Sequence, residues 1–524
     1  MKQRIISIVC GLGLSVLVMQ AERVMVISDP HVIAQSLLQP GTAADEMLAA
    51  GRKMLDLSEP AWKALMDTAL LYQPDLLLIP GDLTKDGEAI SHDTVVASLA
   101  RLQAAGIPTL VIPGNHDISN PASYAYNGDQ KIAVPTINDA QFDQLYAPYM
   151  GAVREPNSHC YVAEPLDGVT VLAIDGTHGD AGTGSLSDAT LSWLLAQADA
   201  AQAKGNLIIA MCHWQILDHV DNMAELMSSS QLDSASYIAQ QLAAHQVRFI
   251  LTGHFHVNGA TTKYFGNDSI VEVTTGAPVA YPCPYRWLDI SADRSTVTVG
   301  TEELRSLDTI ADLHSYSRAW QEAHTWTMLP QMSRKAWTKV DKYVNVMKNS
   351  SSLATRIKGN TIAALLPTDD AERYDYFERN MGQAVVNLFM LHSDANEPDR
   401  PEKDDVKDAM YDGLSNMIVD VIGVESQGMR ELVALMSGAA VDMMTVPVES
   451  MCEDLTEYTS NTPNRTDDLS LVLTLQAPRQ QGTGIERPVE EWLNPQWYDI
   501  MGRQVREPVP GQVVVRKNHK QVNQ

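Results

Sequence analysis

The chain has 524 residues, 45% of them hydrophobic, and a formal net charge of −27. That length accommodates two or three domains with a sizeable core. The charge argues against electrostatic binding to nucleic acid, which needs a basic footprint. It also means that any phosphate site must carry its own positive charge locally, as bound metal ions would.

At the N-terminus, Lys2 and Arg4 precede an apolar run from Ile5 to Met19, and Ala21 offers a small residue for cleavage. This is the pattern of a signal peptide over residues 1–21. The run is short for a retained anchor, and no later stretch is long and apolar enough to span a bilayer. The mature chain is therefore expected to be exported, to the periplasm, the cell surface or the medium. Cys160, Cys212, Cys283 and Cys452 are too scattered for a disulfide framework or a zinc finger and read as buried free thiols.

Arg23 to Ser28 is an apolar strand that runs straight into Asp29-Pro30-His31. Pro60 to Tyr72 has helical spacing, and Leu76-Leu77-Leu78-Ile79 is a second buried strand, ending in Pro80-Gly81-Asp82. A helix from about His92 to Ala105, capped by Gly106, leads to the strand Thr109 to Ile112. That strand delivers Gly114-Asn115-His116-Asp117: an amide oxygen, an imidazole, and a carboxylate that could orient the imidazole. Strands alternating with helices in this way indicate parallel βαβ units.

Residues 119–156 read as a long loop with short helices, the kind of excursion that shapes a pocket. Paired strands follow at Tyr161 to Ala163 and Val169 to Ile174, then a helix from Asp188 to Ala203. The strand Leu207 to Met211 delivers His213, and Val247 to Thr252 delivers Gly253-His254-Phe255-His256. Short strands at Ser269 to Thr275, Tyr285 to Ile290 and Thr296 to Thr301 suggest a second sheet edge and the end of the domain near 305.

From 306 to 458 the patterns are helical, with methionines at Met417 and Met429 to Met444 read as core packing. The polar stretch from His392 to Asp405, with His392, Glu397, Asp399 and Arg400, reads as a solvated loop that could also reach a substrate. Residues 459–524 turn to strands, at Leu469 to Leu475 and in a hairpin around Trp497 to Val505 and Pro510 to Val515.

Asp29, His31, Asp82, Asn115, His116, His213, His254 and His256 all follow the ends of buried strands, the edge where ligands gather in open α/β sheets. Imidazoles, carboxylates and an amide without a thiolate suit Mn, Fe or Zn.

The series Asp29-x-His31, Gly81-Asp82, Gly114-Asn115-His116-Asp117, His213 and Gly253-His254-x-His256 resembles the calcineurin-like metallophosphoesterase family over residues 22–305. The resemblance implies an α/β fold, a four-layer sandwich of two mixed sheets flanked by helices, followed here by a helical domain and a small β-rich tail. It implies a dinuclear centre of divalent or mixed-valence transition-metal ions. Asp29, His31 and His256 would hold one ion, Asn115, His213 and His254 the other, and Asp82 would bridge them. It assigns His116 to the substrate, with Asp117 keeping it protonated.

Asp86 and Lys85 stand where protein phosphatases carry arginine and purple acid phosphatases carry tyrosine, so the sequence looks more like the bacterial phosphodiesterase and phosphohydrolase branch. The implied activity is hydrolysis of a small phosphorylated substrate, diester slightly before monoester. A nucleotidase or pyrophosphatase on the same centre, or a metal-containing binding protein, are the alternatives. The tail from Tyr498 to Val505 is similar to C-terminal segments of exported Bacteroidetes-type proteins, some of which are sorting signals.

Overall fold

The structure is a computed structural model that describes residues 21–177, 184–219, 231–422, 451–452 and 468–474, with short strands between 497 and 522. Residues 1–20, where a signal peptide is expected, and the methionines Met429 to Met444 lie outside the described residues. By its internal contacts the chain falls into two units, Met1–Gln476 and Ala477–Gln524.

In chain order the first unit contains β1 (Glu22–Val26), α1 (Thr42–Ala49), α2 (Ser58–Tyr72), β2 (Leu76–Pro80), α3 (Ala89–Ala104) and β3 (Thr109–Ile112). The excursion after β3 holds a hairpin, β4 (Tyr124–Asn127) and β5 (Gln130–Ala133), then α4 (Asp139–Tyr146) and β6 (Val153–Arg154). Next come β7 (Tyr161–Leu166), β8 (Val169–Ile174), α5 (Asp188–Lys204), β9 (Leu207–Cys212), α6 (Ala235–Ala244) and β10 (Phe249–Thr252). The strands β11 (Gly259–Phe265), β12 (Asp268–Thr274), β13 (Pro284–Ile290) and β14 (Thr296–Glu303) follow.

Two mixed sheets result. The first has the order β15-β14-β13-β1-β2-β3, where β15 is Ser470–Thr474, and the second runs β11-β12-β10-β9-β8-β7-β6. Strands β1, β2 and β3 are parallel, as are β8, β9, β10 and β12. The strands beyond residue 269 do not form one edge, as the sequence suggests. β12 and its hairpin partner β11 extend the second sheet, while β13 returns to pair with β1 in the first. Ser470–Thr474, read from sequence as tail, pairs with β14.

The period of two along each strand sorts the core into layers. Val169, Val171 and Ala173 of β8, Leu207, Ile209 and Met211 of β9, and Phe249 and Leu251 of β10 pack with Met25, Leu77, Ile79 and Val111 of the first sheet. The alternate residues Leu172, Ile174, Ile208, Ala210 and Ile250 face outward onto Leu194, Ala198, Ile238 and Leu242 of α5 and α6. With α2 and α3 covering the first sheet through Trp62, Leu65, Val95 and Leu99, this is the four-layer α/β sandwich. Cys160, Cys212 and Cys283 are buried free thiols, and Cys452 is buried as well.

Beyond β14 lie α7 (Leu313–Lys348), α8 (Leu353–Leu365), α9 (Asp370–Asp394) and α10 (Lys403–Ile422). They share a core of Leu329, Trp337, Phe377, Met381, Leu391, Met410 and Met417. The stretch expected to be a solvated loop is partly interior: His392, in the last turn of α9, is 9% exposed and Glu397 is 3% exposed. In the second unit, β16 (Trp497–Asp499), β17 (Gln504–Val505), β18 (Val513–Arg516) and β19 (His519–Val522) form an antiparallel sheet of order β17-β16-β18-β19.

Candidate metal centre

The C-terminal ends of β1, β2 and β3 in one sheet and of β9 and β10 in the other open onto one edge. Each strand stops in a sharp turn that aims a polar side chain back at its neighbours. Asp29, His31, Asp82, His254 and His256 all take left-handed backbone, with φ of 53°, 43°, 48°, 64° and 60°. Such conformations are uncommon for side-chain-bearing residues and collect at functional sites. Two glycines clear the space: a Cβ on Gly114 would collide with Asp82, and one on Gly253 with Ser28 and Asp29.

The side chains gather in two groups that share one carboxylate. Asp29, His31, Asp82 and His256 offer ligand atoms within 4.8 Å of one another, and so do Asp82, His213 and His254. In the first, His31 Nε2 is 2.9 Å from His256 Nε2 and 3.4 Å from Asp82 Oδ2, and His256 Nε2 is 3.4 Å from Asp29 Oδ1. In the second, His213 Nε2 is 3.1 Å from His254 Nδ1, 3.4 Å from Asp82 Oδ1 and 3.0 Å from the amide oxygen of Asn115. All seven residues expected to be ligands are thus brought together.

The donor set fits cations. Asp82 Oδ2 is buried and has no hydrogen-bond partner, a costly state for a carboxylate oxygen. Burial pushes His31 well below the usual imidazole range and His254 down to about 3, so both present lone pairs rather than positive charge. Burial also opposes the charged form of His213, but the adjacent Asp82 outweighs it and lifts that ring to about 9. The carbonyl of Pro80 lies 3.0 Å from His213 Nδ1, so Nδ1–H donates there and leaves Nε2 turned inward. Asp29 accepts the His254 N–H at 3.0 Å, which fixes the β10 turn against the β1 turn.

His116 stands at the rim, its side chain 27% exposed and its Nε2 4.0 Å from Asp82 Oδ2. Its partner differs from the expected one. Nδ1 lies 2.8 Å from Asp86 Oδ1, and Asp86 is in turn ion-paired to Lys85. Burial would raise the Asp86 pKa, but the His116 hydrogen bond and the Lys85 charge hold it below the ordinary carboxylate value.

Asp117 turns the other way. It is fully buried and accepts the backbone N–H groups of Leu83 at 3.1 Å, Thr84 at 2.8 Å and Gly114 at 2.8 Å. The expectation that Asp117 orients His116 is therefore corrected, because its oxygens are spent on tying the β2 turn to the β3 turn. Sequence offered a sign of Asp86 only as a departure from related patterns. Lys53, whose Nζ lies 3.2 Å from His31 Nε2, gave no sign at all.

Residues 22–258 match the family described as calcineurin-like phosphoesterase. Over 83 residues the chain is 32% identical to a probable cyclic nucleotide phosphodiesterase of Moraxella catarrhalis, covering 16% of this chain and 29% of that protein. Over 238 residues it is 26% identical to a probable cyclic nucleotide phosphodiesterase of Rhodococcus erythropolis, covering 45% of this chain and 65% of that one. The match thus spans less than two thirds of either relative. Among solved structures, a dimetal phosphatase from Danio rerio aligns with 53% of this chain and 95% of its own, at 11% identity and a TM-score of 0.38.

Proposed function

Because the chain belongs through residues 22–258 to the calcineurin-like phosphoesterase family, we propose that it is an exported, metal-dependent phosphoesterase acting on small phosphodiesters or phosphomonoesters. The observation that carries this reading is the pair of donor groups sharing Asp82. Asp29, His31, Asp82 and His256 would hold one transition-metal ion, and Asp82, Asn115, His213 and His254 the other. When bound, two such cations supply Lewis-acid charge for a phosphoryl group and a source of hydroxide at neutral pH.

The chain's own residues do the rest. Asp82 sets the two donor groups side by side, and the left-handed turns hold the ligands in place before substrate arrives. Asp86 fixes the His116 ring through Nδ1, leaving Nε2 to stabilise the reacting phosphoryl group and hand a proton to the leaving oxygen. The names of the bacterial relatives support diesters, cyclic nucleotides among them, as the first substrates to try. Export rests on Lys2, Arg4 and the apolar run to Met19. Among the described residues no helix is long and apolar enough to cross a membrane.

The test joins elemental analysis to a substrate panel. Protein purified metal-replete should carry close to two transition ions per chain. It should then hydrolyse members of a panel of phosphodiesters, phosphomonoesters and nucleotides assayed with Mn, Zn and Fe. A metal content near zero would remove the dinuclear reading, and two ions without turnover of any ester would remove the enzymatic one.

A further inference from the structure

The loop between α1 and α2 brings a cation to the centre that no motif announces. Lys53 Nζ lies 3.2 Å from Nε2 and 3.5 Å from Nδ1 of His31, a position shared between the two ring nitrogens. Among the described residues no carboxylate lies within ion-pair distance of it. Lys85, whose charge also acts on Lys53, is by contrast neutralised by Asp86. In a chain with 65 acidic and 38 basic residues, a lysine that reaches a buried site and makes no ion pair there, with Asp82, Asp86 and Asp29 acting on its charge only from further off, is a selective placement.

The loop is held firmly. Met54 N–H donates to the carbonyl of Val279 at 2.7 Å, and the Gln35 side-chain amide donates to the carbonyl of Asp56 at 2.9 Å. The helical segment braces it twice. The Thr327 hydroxyl of α7 donates to the carbonyl of Ala49 at 2.8 Å, and the Arg52 guanidinium lies over the Phe389 ring of α9, 5.1 Å from its centroid. Lys53 is therefore delivered to the ligand edge by packing between the sandwich and the added helices.

Once cations occupy the two donor groups, an ammonium beside His31 meets like charge, and an anion between them offsets that repulsion. Resting on the phosphoesterase reading above, we propose that Lys53 is an anion-binding side chain of this centre, taking a non-bridging phosphoryl oxygen of substrate and of product phosphate. The ligand class is a phosphoryl group, and a dianionic one (a phosphomonoester or inorganic phosphate) gains more from the ammonium than a monoanionic diester.

The experiment uses the full metal-loaded chain and inorganic phosphate as the probe, titrated calorimetrically into wild type, Lys53→Met and Lys53→Arg with metal content measured in parallel. Loss of one charge-assisted hydrogen bond should weaken phosphate binding by about 10- to 100-fold in Lys53→Met, with Lys53→Arg recovering most of it. Metal content should stay at the wild-type value, and KM for phosphomonoesters should rise more than KM for diesters. Lys53→Gln replaces Lys53→Met if the latter does not fold. Unchanged phosphate affinity with both ions retained overturns the role of Lys53 and leaves the metal centre standing. Loss of the ions together with phosphate binding makes Lys53 a support of the ligands and likewise overturns the proposal. A wild-type chain that takes up no metal fails at the underlying reading instead.

Discussion

Two buried polar clusters lie in the first unit, and they are built by opposite rules. The ligand edge sets His31 against His256 and His213 against His254, nitrogen to nitrogen, and leaves Asp82 Oδ2 without a hydrogen-bond partner. The joint with the helical segment is also rich in acids and histidines, yet its carboxylates are satisfied. Glu272 accepts the N–H groups of Ile216 and Leu217, the Thr252 hydroxyl and the His219 ring. Asp468 accepts from the N–H groups of Ala260 and Asn396, and Glu397 pairs with His392. Burying polar groups costs free energy unless they are paired. A cluster whose acceptors close on donors is a structural joint, whereas one whose acceptors face each other is completed by cations.

The sharpest way to break that contrast is Asp82→Asn. The substitution removes the one carboxylate common to both donor groups, so both ions should be lost and activity should fall to background. Elemental analysis of the purified variant checks this. Two retained ions would mean that Asp82 is not shared. A carboxylate of the joint, such as Glu272, should give no change in metal stoichiometry when replaced by Gln.

Next in size is His116→Ala, which takes away no expected ligand. Metal content should stay at wild type while the rate falls by about 10²–10⁴-fold, the usual worth of a positioned acid or base. The penalty should be smaller for activated aryl esters, whose leaving groups depart almost unaided, than for alkyl esters. Equal penalties would leave His116 as an electrostatic residue only.

Asp86 and Asp117 sharpen the comparison at closer range, since both carboxylates lie near His116 and only one touches it. Asp86→Asn should cost about 10- to 100-fold in rate with little loss of stability, the scale of a partner that orients a functional histidine. Asp117→Asn should lower stability by about 1–3 kcal/mol, because it disturbs the acceptor of three buried N–H groups. Rate assays and thermal melts on the two variants separate these outcomes, and a reversal of the two effects would restore Asp117 as the orienting residue.

The ligand edge was legible because each motif follows its strand within a few residues. Short-range pattern fixes β1 before Asp29, β2 before Asp82 and β10 before His254, and the parallel topology then forces convergence. The partner of His116 was not legible. Adjacency in sequence suggests Asp117, but the turn after β3 sends that side chain into the protein while Asp86 arrives from the β2 turn. Lys53 was invisible for a similar reason: its place depends on Val279, Thr327 and Phe389, far away in the chain. The same holds for β15 and Asp468, which read as tail until β14 is there to pair with Ser470–Thr474.

The smallest expected effect tests the joint through pH. Burial, reinforced by the nearby charge of Glu397, pushes the Asp468 carboxyl up to about 7, against an ordinary value of 3.8. The backbone N–H groups of Ala260 and Asn396 and the His219 ring pull it the other way without cancelling the shift. A carboxyl whose pKa is higher in the folded chain than in the unfolded one holds its proton longer when folded. Its stabilising contribution is therefore complete below pH 3.8 and is lost as pH rises towards 7. Asp468→Asn keeps an oxygen for one of the two N–H groups and cannot ionise. Relative to wild type, the variant should be no more stable near pH 5 and should gain stability by pH 8, on the order of 1 kcal/mol or a few degrees of melting temperature. Melts of both proteins at the two pH values read the difference directly. A constant offset between them would mean that Asp468 is ionised throughout, with its neighbours compensating the charge in full.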